Sequence, residues 1–445
     1  MITEETPKHS FLIWLKESAT FKLIFIGILV LLLLIPSSLI HELITERSQR
    51  QEEVIREVSD SWSAKQVIKG PVLVIPYKKQ FKLTDTTTRT TSGNIYVLPE
   101  SLNIKAGLTT QILHRGIFDV AVYNTHIKVN GGFGHLNFEN LGITPDQLLL
   151  NQARLEFGVG DLKGLKSDPV IKTTAGEKLS VNPDFDSELL FTNGLQAKLN
   201  LSTGLPDQLP FAYDLDLKGS EDLYFLQLGK STTVEAEGNW ANPSFEGSNL
   251  PDERKVDSSG FKAGWHLLNY NRQLPQQWIG DGSKHSNKLE SNSFGVKLRL
   301  PVDQYQKTMR TSKYAVLIIL LTFISLFLTE VIRKQAIHVF NYILIGTAMV
   351  IYYTLLLSFS EQVGYNAAYL IASISTIALI SVFISSLLKN GKAALLFAFI
   401  LTVFYTFIFV IIQLEDLALM VGSIALFMII AILMYFSRKI NWDKQ

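Results

Sequence analysis

The chain has 445 residues, a formal net charge of +1, 47% hydrophobic and 18% charged residues, and no cysteine. Near-neutrality, with no block rich in lysine and arginine, gives no field to gather a phosphate backbone, so nucleic acid is not an expected partner. Without a thiol there is no disulfide, no thiolate metal site and no cysteine nucleophile, and the redox compartment stays open.

Lys8, Lys16 and Lys22 precede an uncharged run at roughly 23–43, long enough to cross a bilayer as a helix of about 20 residues. This run is longer than the ~7–15 apolar residues of a signal peptide, and no A-x-A cleavage site follows, which predicts a retained anchor. After Pro36, "HELITERSQRQEEVIREVSDSW" places Ile40, Ile44, Val54, Ile55, Val58 and Trp62 near helical spacing and predicts a helical stalk over 44–68.

The period then changes. In "FAYDLDLKG" Phe211, Tyr213, Leu215 and Leu217 alternate with Ala212, Asp214, Asp216 and Lys218, as in a strand with one buried face. Phe118, Val120 and Val122 alternate in the same way, as do Leu155, Phe157 and Val159, and Val296, Leu298 and Leu300. "NGG" at Asn130 and "TNG" at Thr192 read as turns between such runs, and "GGFGH" at Gly131 as a hairpin turn. The expectation is a mostly antiparallel, sandwich-like β-domain over 69–300, followed by a linker at 301–313.

Five further uncharged stretches lie at roughly 314–329, 340–359, 367–388, 393–413 and 417–436, with a tail over 438–445. The expected fold class is thus an α+β membrane protein of six transmembrane helices, with the β-domain inserted after the first. Arg333 and Lys334, Lys389 and Lys392, and the tail's Arg438, Lys439 and Lys444 fall in alternate connections; Glu361, and Glu415 with Asp416, occupy the other two. Cytoplasmic loops retain positive charge, so both termini are expected in the cytoplasm and 44–313 outside it. Lys307, Arg310 and Lys313 then lie on the outer side, against the bias, which is tolerated next to a long translocated domain.

Signals for chemistry are few. In "HELITE" at His41 the second histidine of a zinc-protease helix is replaced by Thr45, and no nucleotide-binding loop or nucleophile elbow stands out. No enzyme activity, metal or cofactor is expected. Glu330 reads as a surface ion pair with Arg333 and Lys334, worth about 0.5 kcal/mol or less. Glu361, in "LLLSFSEQVGYN", either caps an outer loop or lines a polar entrance beside Tyr353 and Ser360. None of the five closing spans carries a mid-span carboxylate or histidine, which argues against a proton-driven pump. Ala368, Ala372, Ser381 and Ser385 recur every four positions, as close helix packing requires.

"KGPVLVIP" from Lys69, "YVLPESLN" from Tyr96, "NWANPSFEGSNLPDERKVDSSGFKAGW" from Asn239 to Trp265, "DQYQKTMRTSKYA" and "IHVFNYILIG" from Ile337 together resemble the CreD family of bacterial inner-membrane proteins. The resemblance implies a Gram-negative inner-membrane protein linked to envelope integrity, an output of a two-component sensor system associated with tolerance to envelope-directed agents. It supplies no catalytic residue. The positions it carries over as binding candidates are Trp240, Phe245, Arg254 and Trp265 in the exported region, and Arg310, Lys313, Tyr314, Glu330, His338, Tyr342 and Glu361 in the membrane half.

"NWANPSFEG" reads as a sheet corner with Trp240 packed beneath it, or alternatively as a ligand rim of Trp240, Phe245 and Trp265. Arg310, Lys313 and Tyr314 sit where amphipathic side chains reach lipid phosphates. The expected partners are the phospholipid bilayer and a periplasmic protein, lipid or cell-wall component. A lipid or amphiphile translocation factor is the alternative. An envelope hydrolase would require two or more titratable groups sharing an exported pocket.

Overall fold

The computed structural model describes residues 19–437 apart from 85–86, 174–177, 184–189, 273, 281, 301–303, 334, 336 and 415–416. Lys8, Lys16, Lys334, Glu415, Asp416, Arg438, Lys439 and Lys444 lie outside the described residues, as does the side chain of Arg333. The chain is α+β and divides into two compact units, one formed by Met1–Gln51 with Val302–Gln445 and the other by Glu52–Pro301.

The first helix, α1 (Ala19–Trp62), runs unbroken through Pro36 and joins the expected span and stalk in one element. Pro36 removes one backbone donor, and the hydroxyls of Ser37 and Ser38 bond to Leu33 O and Ile35 O at 2.9 and 2.8 Å beside it.

The β-domain contains β1 (Gln66–Thr84), β2 (Thr87–Val97), β3 (Ser101–Arg115), β4 (Phe118–Phe133), β5 (Arg154–Gly158), β6 (Val170–Thr173), β7 (Lys178–Pro183) and β8 (Gly194–Lys198). It continues with β9 (Leu209–Ser220), β10 (Asp222–Leu226), β11 (Ser231–Gly238), β12 (Pro243–Gly247), β13 (Glu253–Asp257), β14 (Gly260–Leu268) and β15 (Gln277–Ile279). A short helix, α2 (Ser283–Glu290), precedes β16 (Ser293–Leu298).

Hydrogen-bonded neighbours run β12-β16-β10-β1-β5-β8-β7-β6-β9-β4-β3-β11-β14-β13, with β2 and β15 to one side. Among the described residues the pairings are antiparallel except β1 with β10 and β3 with β11. The sheet curls back on itself in a barrel-like form. Phe245 on β12, near one end of the path, lies 6.0 Å from both Phe261 and Trp265 on β14, near the other. The alternation read in 211–217 is the burial pattern of β9, whose apolar positions enter one core with Trp265, Phe157 and Phe225.

One turn reading is corrected. "NGG" and the start of "GGFGH" lie inside β4, where Gly131 pairs with Leu102 on one side and Phe211 on the other. A Cβ at Gly131 would meet Ser101 O at 2.1 Å, so glycine here admits a close strand approach and not a hairpin. "TNG" does turn, with Asn193 at φ 57° leading into β8.

In the other unit the residues read as a linker form a helix, α3 (Gln304–Lys313), bent by 42° against the next, α4 (Ala315–Arg333). Then come α5 (Val339–Val363), α6 (Tyr365–Leu388), α7 (Gly391–Gln413) and α8 (Ala418–Ser437). Among the described residues, four helices suit a membrane crossing by length and composition, or up to five if the bent pair counts as one; Ala418–Ala431 is a shorter apolar helix. A Cβ on Gly346 of α5 would strike Leu33 of α1 and Phe323 of α4, so glycine lets three helices meet there.

Candidate functional site

The ionisable groups of the helical unit gather at its two ends. At one end Glu361, in the last turn of α5, accepts two hydrogen bonds from the Arg47 guanidinium of α1, both 2.8 Å, and one from the Tyr305 hydroxyl of α3 at 2.9 Å. A planar guanidinium matches a carboxylate in this forked geometry and fixes direction as well as distance. Beside it the Thr311 hydroxyl meets the Tyr365 hydroxyl at 2.7 Å, Lys307 bonds to Gln413 of α7 at 3.3 Å, and Gln413 donates to Asn366 of α6 at 2.7 Å. His41 of α1 lies 3.3 Å from the Ser312 hydroxyl.

At the opposite end Glu330 of α4 is buried, its side chain 6% exposed. It binds the Lys22 ammonium of α1, accepts from the backbone N–H of Ile337 at 3.1 Å and from the Tyr342 hydroxyl of α5 at 3.0 Å. The expected surface position is corrected: the carboxylate turns inward onto the Lys22 cation of α1, while the side chains of Arg333 and Lys334, its expected partners, lie outside the described residues. His338, one of the binding candidates, caps α5, its Nδ1 accepting from Phe340 N at 3.2 Å. Lys313 is exposed, and Arg310 and Tyr314 are half-buried.

Helix α1 is therefore clamped twice. Lys22 and Arg47 are separated by about 37 Å of helix at about 1.5 Å per residue, close to the thickness of a bilayer with its interfaces, about 40–45 Å. Sequence reasoning paired neither cation with its carboxylate. A signal was present: Ile26, Leu29, Leu33, Ile40 and Ile44 form the buried stripe of α1, and Lys22 and Arg47 continue it at spacings of four and three. A charge on the apolar stripe of a helix requires a partner across the interface.

Between these ends, tyrosines from three helices pack ring against ring. Tyr352 lies 4.8 Å from both Tyr353 and Tyr405 and 6.0 Å from Tyr369. Tyr369 donates to Tyr405 O at 2.7 Å, whereas the buried hydroxyls of Tyr352, Tyr353, Tyr405 and Ser373 find no partner among the described residues.

In the β-domain, Trp240 and Trp265 are buried, their indole N–H groups donating to Arg299 O at 3.1 Å and Asn249 O at 3.3 Å. Phe245 packs on the core beside Trp265, so these aromatics meet inside the sheet and not on an open rim. Arg254 stands apart on β13, exposed over a shallow depression of about 520 Å³ that Glu235, Lys262 and His266 also line. Among the described residues no three His, Asp or Glu side chains are grouped to hold a metal ion.

Apolar helices suited to crossing a bilayer, joined to a barrel-like β-domain, define a multi-pass membrane protein of α+β class. The sequence matches the family described as "Inner membrane protein CreD" over residues 18–443. It is also 29% identical over 418 residues to the inner membrane protein CreD of Escherichia coli (strain K12), covering 93% of this chain and 91% of that one. The chain belongs to the CreD family of inner membrane proteins.

Proposed function

We propose that the chain is a non-enzymatic inner-membrane protein that supports cell-envelope integrity and tolerance of envelope stress, with its β-domain in the periplasm binding an envelope partner or lipid. Positive charge concentrated in alternate short connections supports six crossings with both termini in the cytoplasm. One observation carries the division of labour. Glu330 and Glu361 are each occupied by a cation and a tyrosine from neighbouring helices, an arrangement suited to holding helices together and not to carrying ions. The helical unit is then the anchor and the β-domain the working part.

The test is complementation of cells lacking the protein, challenged with a wall-directed agent. The full chain restores survival, and a chain with 66–300 replaced by an unrelated exported domain inserts but does not. Equal protection by both would remove the β-domain from the function. A reporter fused near Gly204 reads the topology separately.

A second reading, a lipid or amphiphile translocation factor, draws support from the unpartnered hydroxyls of Tyr352, Tyr353 and Tyr405. Polar groups inside apolar helices attract a polar passenger. Purified protein in vesicles would then accelerate the transbilayer movement of labelled phospholipid, and Tyr353→Phe would slow it.

A further inference from the structure

On the outer face of the sheet, β1, β10, β12 and β16 meet the end of α2 and the connection before β8 around a crevice of about 640 Å³. Its lining includes Lys69, Asn193, Asp222, Tyr224, Glu246 and Glu290. Strand register builds it. Asp222 and Ser244 both pair with Lys297, and Tyr224 and Glu246 both pair with Gly295, so four polar side chains from β10 and β12 flank β16 in two adjacent rows. Since Gly295 has no side chain, the Tyr224 hydroxyl reaches to 3.5 Å from Glu246 Oε2. "PSFEG" thus divides its work: Phe245 packs on the core, while Glu246 lines the crevice and accepts a 2.9 Å hydrogen bond from Ser244.

The charges are mixed and paired. Lys69, with its side chain 6% exposed, holds Glu290 at 3.2 Å, Arg299 holds Glu246 at 2.8 Å, and Lys297 lies 3.8 Å from Asp222 Oδ1. On the lining itself Lys65 and Lys69 are outnumbered by Asp222, Glu246 and Glu290, which disfavours a phosphate, and the aliphatic side chains are those of Ala64 and Val67, too few for an acyl chain. Asp222 Oδ1 is buried and accepts no hydrogen bond. An acceptor of this kind, surrounded by closely spaced donors and acceptors and one aromatic ring, fits groups that are neutral and donate and accept at once.

We propose that this crevice binds a hydroxyl-rich saccharide, with vicinal hydroxyls donating to Asp222 and Glu246, accepting from Lys69 and Asn193, and one sugar face against Tyr224. The size suits a small ligand, pockets of about 300–1,000 Å³ being typical. This deepens the envelope-binding reading and rests on it for the source of the sugar, which in an envelope is a wall glycan or a free oligosaccharide.

The experiment is calorimetric titration of the purified full chain with tetra-N-acetylchitotetraose, maltotetraose and, as a non-sugar, glycerophosphoethanolamine. Saturable binding of a tetrasaccharide is expected, weakened at least tenfold by Asp222→Asn and by Tyr224→Leu, each with an unfolding transition like that of the parent. Preference for the N-acetylated sugar assigns a wall-glycan source, and preference for maltotetraose a free glucan. No saccharide binding, binding unchanged in both variants, or binding of glycerophosphoethanolamine alone overturns the proposal. If no sugar binds while cells still need the β-domain for survival, the inference fails and the envelope reading stands; sugar binding without any survival phenotype gives the converse.

Discussion

The two units of this protein treat buried charge differently: the helical unit fastens its buried carboxylates, whereas the β-domain pairs some buried charges, such as Lys69 with Glu290, and leaves others without a close partner. In the helical unit, Glu330 and Glu361 are each met by a cation and a tyrosine: Lys22 and Tyr342 for Glu330, Arg47 and Tyr305 for Glu361. In the β-domain, Asp222 keeps a buried oxygen without a hydrogen bond, and Arg272 is buried against the carbonyls of Leu228 and Gly229 and the Gln276 side chain. Burial pulls the Arg272 guanidinium down to about 10. Among apolar helices a charge lacking a partner is too costly to keep, so charges there serve as fasteners. A β-domain in water tolerates an unsatisfied acceptor beside a crevice, and perturbed groups of this kind mark candidate binding sites.

Four substitutions test that contrast. Trp265→Ala should have the largest effect, destabilising the β-domain by about 3–5 kcal/mol, because a side chain 1% exposed is deleted where both ends of the sheet meet. Chemical unfolding followed by tryptophan fluorescence measures it, and a loss below about 1 kcal/mol would show that the sheet ends do not share a core.

Glu330→Ala comes next, costing about 3 kcal/mol by leaving Lys22 and Tyr342 without their acceptor. A double-mutant cycle with Lys22→Ala, read from the melting of the purified protein, should show the double variant less damaged than the sum of the two singles. Strict additivity would mean that the clamp does not form.

Arg47→Lys should cost about 1 kcal/mol, since lysine keeps the charge but loses the forked contact to Glu361, and Arg47 is partly exposed. Substitution by Lys that matched Ala in its effect would indicate that geometry, and not charge, holds this end of α1.

The smallest effect carries the opposite sign. Burial raises the Asp222 carboxyl above its ordinary range, so the folded chain keeps that proton at a pH where the unfolded chain has released it. Stability from this group is fully present below the ordinary value of 3.8 and is lost as pH rises through the raised one. Asp222→Asn should therefore melt slightly higher than the parent at neutral pH, with the difference vanishing in acid. A variant that binds ligand less well and folds slightly better is the signature of a site kept at some cost to stability.

Much of the architecture was legible because it depends on local pattern. A period of two over Phe211 to Leu217 gave β9, and continuous apolar runs gave the helices from α4 to α8. Helix propensity across Pro36 was less legible: α1 is one element because its buried stripe continues past the proline. The turn read at Asn130 failed because glycine pairs mark close strand approach as well as turns, and only the neighbouring strands distinguish the two. Trp240, Phe245 and Trp265 stand out together in the sequence, yet whether they face solvent or core depends on the sheet curling over them.

By itself the sequence determined which segments are apolar, which alternate, and which connections carry positive charge, since hydropathy and period are properties of short windows. Only the tertiary structure decided the partners: Lys22 reaches Glu330 across 308 positions and Arg47 reaches Glu361 across 314. It alone set Asp222, Tyr224 and Glu246 around one crevice. Ion pairs and crevices are made by side chains that chain folding brings within a few ångströms, and Coulomb and hydrogen-bond energies depend on that distance and not on separation along the chain.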